Sequence, residues 1–176
     1  MPNYRRIHQP GATWFFTVAL AERRNNSLLT DHIDLLRAAF RHIRHRHPFA
    51  IPAMVVLPDH LHCIWFLPPD DADYATRWRL IKGYFSRNLE VREFRSESRI
   101  KRRERGVWQR RFWAHLITDQ EDYNRHMDYI HWNPVKHGLV KRTEEWSYSS
   151  FHRCVRLGIY PADWGHDDGF NMDAGE

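Results

Sequence analysis

Apolar residues follow two spacings along the chain, and their order predicts the elements. Thr13–Leu20 (TWFFTVAL) is a run of aromatic and β-branched residues behind Pro10-Gly11, which reads as a first strand. Ile33, Leu35, Leu36, Ala39, Phe40 and Ile43 then recur near the helical period. They predict a helix over Thr30–Arg46, with Thr30 or Asp31 as N-cap and Pro48 ending it. Phe49–Leu57 and Leu61–Leu67 are two apolar runs parted by Pro58-Asp59, as expected of adjacent strands about a tight turn. Both runs are apolar on both faces, the pattern of central strands.

After the acidic turn Asp70–Asp73, a stripe of Trp78, Ile81, Tyr84 and Phe85 predicts a second helix over Ala75–Leu89. Val91–Gly106 is dominated by charge and is expected to be a loop or a frayed helix end. Val107–Ile117 (VWQRRFWAHLI) reads as a further strand. Thr118-Asp-Gln-Glu121 then matches a capping box and opens a helix running to about Trp132. Pro134 disfavours helical geometry in the residue before it, so the helix is expected to stop near Asn133. Gly138 marks the following turn. The last 37 residues hold Trp146, Tyr148, Phe151 and Trp164 but only weak periodicity, which suggests a short helix and coil.

The order is β-α-β-β-α-β-α and a tail. It best matches an α+β fold: a ferredoxin-like antiparallel sheet with its two crossover helices on one face. No repeat or linker divides the chain, so residues 1–140 are expected to form one domain, with 141–176 packed on it as a tail. The 42% hydrophobic and 14% aromatic content supports a real core. Cys63 and Cys154 are too far apart for a zinc or redox motif and suit a reducing compartment. The first residues are polar and no window holds 18 continuous apolar residues; a cytoplasmic protein is therefore expected.

Charge changes the picture. Residues 77–111 carry 13 Lys/Arg against four Glu, whereas the rest of the chain is net acidic. A phosphate-rich partner is the simplest reason for such concentration, with a solvated surface segment as the alternative.

Two patterns carry candidate chemistry. His60 and His62 are two apart at the start of a strand, so alternation points both imidazoles to one side, where they can hold a divalent cation. Tyr129 and Asn133 are four apart and share a helical face. The Asn133 amide can complete a site for Mg²⁺ or Mn²⁺, or merely cap the helix before Pro134. Tyr129 would then lie one turn from the metal as a nucleophile, or be a buried ring with a wet hydroxyl.

These residues sit in longer motifs. Val55–Trp65 (VVLPDHLHCIW) resembles the His-hydrophobic-His strand of the HUH single-strand nucleases, and Asp128–Val140 (DYIHWNPVKHGLV) resembles the tyrosine helix of their single-tyrosine transposase branch. Tyr4–Arg6, Thr13–Val18, Trp108–Trp113 and Trp146–Arg153 extend the likeness, in order, across nearly the whole chain. The chain is most similar to the REP-associated tyrosine transposases. That resemblance implies His60 and His62 as metal ligands, Tyr129 as nucleophile and Asn133 at the position of a third ligand, where many relatives of the wider branch carry Gln. It also implies a substrate: single-stranded REP DNA folded as a palindromic hairpin with a guide tetranucleotide at its foot, cut through a 5′-phosphotyrosine intermediate. Candidate DNA contacts are Arg5, Arg6, Arg77, Arg79, Lys82, Arg110, Arg111, Trp113 and Lys136, with Trp108 and Phe112 as either stacking or core aromatics. His137 is a further candidate at the phosphate, and Asp59 either orients an imidazole or shapes its turn. A monomer is expected, with a dimer as the alternative. The competing readings are a replication or conjugation initiator nuclease and a non-catalytic, metal-stabilised nucleic-acid-binding regulator.

Overall fold

A computed structural model describes residues 8–90 and 106–165. The elements are β1 (Thr13–Ala19), α1 (Leu28–Asp31), α2 (Ile33–Arg46), β2 (Ala50–Val56), β3 (His60–Phe66), α3 (Tyr74–Asn88), β4 (Trp113–Leu116), α4 (Gln120–Lys136), a 3₁₀ turn (Thr143–Glu145) and α5 (Phe151–Arg156). The four strands form one sheet in the order β2-β3-β1-β4, with every neighbouring pair antiparallel. This is the ferredoxin-like order expected from the sequence.

Strand alternation divides the core into two layers. Trp14, Phe16 and Val18 of β1 and Leu61, Cys63 and Trp65 of β3 face α2 and α3, where they meet Leu36, Ala39, Phe40, Ile43, Trp78, Ile81 and Phe85. Aromatic contacts dominate this layer; the Trp65 and Trp78 rings stack with centroids 4.4 Å apart. On the opposite face, Phe15, Ala53, Val55 and Ile64 pack against Met127, Tyr129 and Ile130 of α4 and Phe151 of α5. Both faces are covered, which is why the middle strands are apolar throughout.

The residues after α4 protect the sheet's outer edge. Ser149 bridges to Val55, Val56 N–H donates to Tyr148 O, and the Trp146 indole donates to Val56 O. An edge strand so covered no longer offers unpaired backbone to another chain.

Several boundaries differ from the sequence expectation. The first predicted helix is two pieces, broken at His32. The last strand is short, four residues rather than eleven. Trp108 makes an isolated bridge with Leu20 and the ladder with β1 resumes only at Trp113; between them Phe112 turns inward against Phe16 and Trp78. The cap of α4 is Asp119, whose carboxylate accepts from Asp122 N–H at 2.8 Å, in place of the Thr118–Glu121 box.

The largest difference is that α4 passes through Pro134 and ends at Lys136. Pro134 sits in the last turn, so it forfeits one backbone hydrogen bond near the end of the helix, and burial of the apolar Trp132, Pro134 and Val135 side chains offsets that loss. A Schellman motif closes the helix: Leu139 N–H bonds Pro134 O and Gly138 N–H bonds Val135 O, with Gly138 at φ +67°.

His131 couples this fold to pH. It is fully buried, 2.8 Å from Ser150 Oγ, and burial, aided by the Arg153 charge, pushes its pKa from 6.5 down to about 3. The folded chain keeps it neutral while the unfolded chain takes up a proton near 6.5. Stability is therefore intact above that pH and falls as pH drops from 6.5 toward 3, by roughly 1 kcal/mol per unit. Urea midpoints measured across this range should decline, and His131→Gln should flatten the decline; an unchanged slope in the variant would sink the assignment.

Candidate active site

The turn Pro58-Asp59 delivers His60 and His62 onto the α4 face of β3. Their ring centroids are 4.9 Å apart. Each ring is held by its Nδ1. His60 Nδ1 lies 2.6 Å from Asp59 Oδ1, and Arg23 Nε donates to the other carboxylate oxygen at 2.6 Å. Arg23 Nη2 is also 3.2 Å from His60 Nδ1, but a carboxylate only accepts, so the shorter contact makes Nδ1 the protonated nitrogen. His62 Nδ1 lies 2.8 Å from Thr17 Oγ1, because the register places Thr17 opposite His62. The Asp59 contact leaves His60 Nε2 as the lone-pair nitrogen, and Thr17, whose hydroxyl can accept from His62 Nδ1, allows the same tautomer there.

Electrostatics agree with that role. Burial pushes the pKa of His60 down, and the neighbouring Asp59 only partly opposes it. Burial holds His62 well below its ordinary value, helped by His60 and His137. Burial raises Asp59, but hydrogen bonds from His60 and Arg23 outweigh it and the carboxyl stays below its usual range. The imidazoles are thus neutral and the carboxylate is charged near neutrality.

Helix α4 lies across this face. The Tyr129 ring meets His62 edge-on at 5.1 Å and Phe15 at 6.0 Å, and Lys136 Nζ stands 4.9 Å from its centroid. His137, just past the helix, is 5.2 Å from His60, ring to ring. Asn133 follows Tyr129 by one turn and is fully buried, with neither Oδ1 nor Nδ2 in a hydrogen bond; His62 Nε2 is likewise buried without a partner. Asn133 is no cap, since the helix continues three residues beyond it. Neutral imidazoles, an amide and a phenol brought together over one sheet face can offer donors to a cation and a nucleophile to a phosphate.

Residues 13–133 match the profile of the IS200-like transposases. The chain is 46% identical over 167 residues to a REP-associated tyrosine transposase of Escherichia coli, covering 95% of this chain and 93% of that protein. The chain belongs to this family. A provisionally named REP-associated tyrosine transposase of Haemophilus influenzae is 48% identical, covering 94% of both chains. The fold also matches a solved REP-associated tyrosine transposase bound to a REP hairpin, with a TM-score of 0.85 and 44% identity over 100% of this chain and 98% of that one. As a member of the REP-associated tyrosine transposases, the chain is an enzyme of metal-dependent type.

The structure sorts the proposed DNA contacts of this transposase. Arg79, Arg110, Arg111 and Lys136 are exposed, and Trp113 is 56% exposed on β4. Lys82 is half-buried and donates to Gln109 O at 2.6 Å. Trp108 is core, as is most of Phe112. Arg5 and Arg6 lie outside the described residues. Arg77 is corrected: it is 2% exposed and its guanidinium bonds Asp71, Pro48 O and Asp73 O at 2.6–2.9 Å. It joins α3 to the preceding loops and cannot reach DNA. Arg77→Ala should cost about 2–4 kcal/mol of stability by stranding those acceptors, with hairpin affinity unchanged at a temperature where the variant is folded. A loss of affinity without a loss of stability would restore it to the DNA surface.

Three contributors were not visible in the sequence. Thr17, Phe15 and Arg23 reach the site from β1 and the loop after it, and only the β1–β3 register reveals Thr17. A second basic surface lines a groove beside α2, with Arg37, Arg41 and Arg44 at helical spacing and Arg153 opposite; acidic residues elsewhere cancel it in the summed charge. Among the described residues, no helix is long and apolar enough to cross a membrane.

Proposed function

We propose that the chain cuts and rejoins single-stranded REP hairpin DNA, with Tyr129 as nucleophile and His60, His62 and Asn133 holding Mg²⁺ or Mn²⁺. The observation that carries this reading is the pairing of orphaned polar atoms with a tyrosine. His62 Nε2 and the Asn133 amide are buried without partners, and Tyr129 packs on one and precedes the other by a turn. A buried polar atom left unpaired costs about 1–3 kcal/mol, and coordination through His62 Nε2 and Asn133 Oδ1 would remove that cost for those two atoms. His60 Nε2 would supply another ligand; Asp59 keeps His60 in the ligating tautomer, and Thr17 orients the His62 ring through Nδ1. A bound divalent ion supplies Lewis-acid polarisation of the scissile phosphate.

The remaining steps belong to the chain's own groups. Tyr129 Oη attacks phosphorus in line, its proton passing to solvent, and the bond to the 3′ oxygen breaks. A 5′-phosphotyrosine and a free 3′-hydroxyl result, and attack by another 3′-hydroxyl reverses the step, so no nucleotide cofactor is needed. Lys136 places a positive charge beside the ring as negative charge develops on the oxygen and phosphate. Phe15 backs both Tyr129 and His62 and fixes their separation. Exposed Trp113, Arg110 and Arg111 offer a stacking surface and phosphate contacts. The hairpin substrate is supported by the relative solved with a REP hairpin. The protein acts as a cytoplasmic monomer on this reading.

The direct test is to incubate a 5′- or 3′-labelled single-stranded palindrome with the protein and Mg²⁺ or Mn²⁺. A denaturant-resistant adduct should carry the label lying 3′ of the cut and never the label 5′ of it. A hairpin that is shifted on a native gel but never cut identifies a binding regulator instead.

A further inference from the structure

We propose that His115, Asp122 and His126 form a second cation site, for a zinc-class divalent ion, where α4 leaves the sheet edge. His115 comes from β4, and Asp122 and His126 are four apart on the first turns of α4, so they present one face to the strand. His115 Nε2 lies 2.9 Å from Asp122 Oδ2, and His126 Nδ1 lies 3.0 Å from Oδ1. The two rings stack at 4.7 Å, and the ligand atoms of all three residues lie within 4.8 Å of one another. Donors at about 2.0–2.2 Å around a tetrahedral ion stand roughly 3.4 Å apart, so small movements complete the site.

The carboxylate is already fixed for this purpose. Asp122 is 4% exposed; its Oδ2 accepts from Thr118 N–H at 3.1 Å, and its own N–H is held by the Asp119 cap. The His115 side chain is 37% exposed, which opens an entry path and a fourth position for water. Two imidazole nitrogens with one carboxylate and a fourth position open to water suit a zinc-class ion. Two groups compete with the ion. Arg125 Nη2 is 3.7 Å from Asp122, but its side chain is 64% exposed and free to swing out. The Asp122 backbone carbonyl is 2.8 Å from His126 Nδ1 and yields that nitrogen when the ring rotates.

The site stands apart from the His60–His62 pair. Phe15 lies between them, 4.5 Å from His126 and 5.7 Å from His62 by ring centroids. An ion bound by β4 and α4 together ties the tyrosine helix to the strand, so its role is positioning and its signature is stability.

Zn²⁺ stoichiometry of the full chain, measured by calorimetry and elemental analysis, tests this. Wild type should bind two equivalents. His60→Ala/His62→Ala should keep one, and that equivalent should raise the Tm and give the visible bands of four-coordinate Co²⁺ when Co²⁺ replaces Zn²⁺. Adding Asp122→Asn should remove the bands and the Tm rise. His115→Ala, which leaves the Asp122 cap contacts intact, should do the same if the asparagine variant fails to fold. The proposal is overturned if the His60/His62 variant binds no Zn²⁺, or if the remaining equivalent survives His115→Ala and so belongs to other histidines. Wild type and the His60/His62 variant binding equally bears instead on the first site alone.

Discussion

Tyr129→Phe is expected to abolish the covalent protein–DNA adduct and to slow cleavage by on the order of 10⁴-fold or more. The variant loses one oxygen and nothing else. The ring stays against His62 and Phe15, so the packing of α4 on the sheet is kept. Hairpin affinity should change by no more than about fivefold, the worth of one hydrogen bond. Adduct yield on a denaturing gel and Kd from a native gel therefore separate chemistry from binding. An adduct formed as well by the phenylalanine variant would assign the nucleophile elsewhere.

His62→Ala should cut metal-dependent cleavage by roughly 10²–10⁴-fold, because on the proposed reading it removes a ligand and with it the charge stabilisation that the ion would bring to the phosphate. Chelation of wild type should reproduce the loss, and added Mn²⁺ should restore wild type far better than the variant. Thr17→Val gives a graded companion. It removes only the oxygen that holds His62 Nδ1, so metal affinity should fall by about 10–100-fold while saturating metal recovers the rate. A His62→Ala protein that cleaves normally at low metal would show that His62 is only a packed strand residue.

Asn133 shows how far local sequence reasoning reaches. Spacing alone places it on the Tyr129 face, but it also allows a cap, and Pro134 favours the cap because proline usually ends helices. The structure decides otherwise, for a reason no local pattern holds. Burial of the apolar Trp132, Pro134 and Val135 side chains stabilises a last turn that proline weakens, and the Gly138 closure comes after it. Arg77 makes the same point in reverse. It belongs to a basic stretch that reads as a phosphate surface, yet helical phase turns it inward onto Asp71 and two carbonyls. A charge count carries no phase. The short β4 has a similar cause: Lys82 takes the Gln109 carbonyl and Phe112 turns into the core against Phe16 and Trp78, so the stretch before Trp113 leaves the ladder.

The sequence by itself determined the strand–helix order, the two-sided burial of the central strands, the common face of His60 and His62, and the spacing of Tyr129 and Asn133. These follow from periods of two and 3.6 residues, which are properties of the backbone. Only the tertiary structure decided what stands across from those faces: Thr17 and Asp59 on the imidazoles, Phe15 behind the tyrosine, Lys136 over its ring, and His115 meeting Asp122 and His126. Such contacts depend on strand register and on helix placement over the sheet. Those are set by the packing of the whole core and cannot be read from any segment of it.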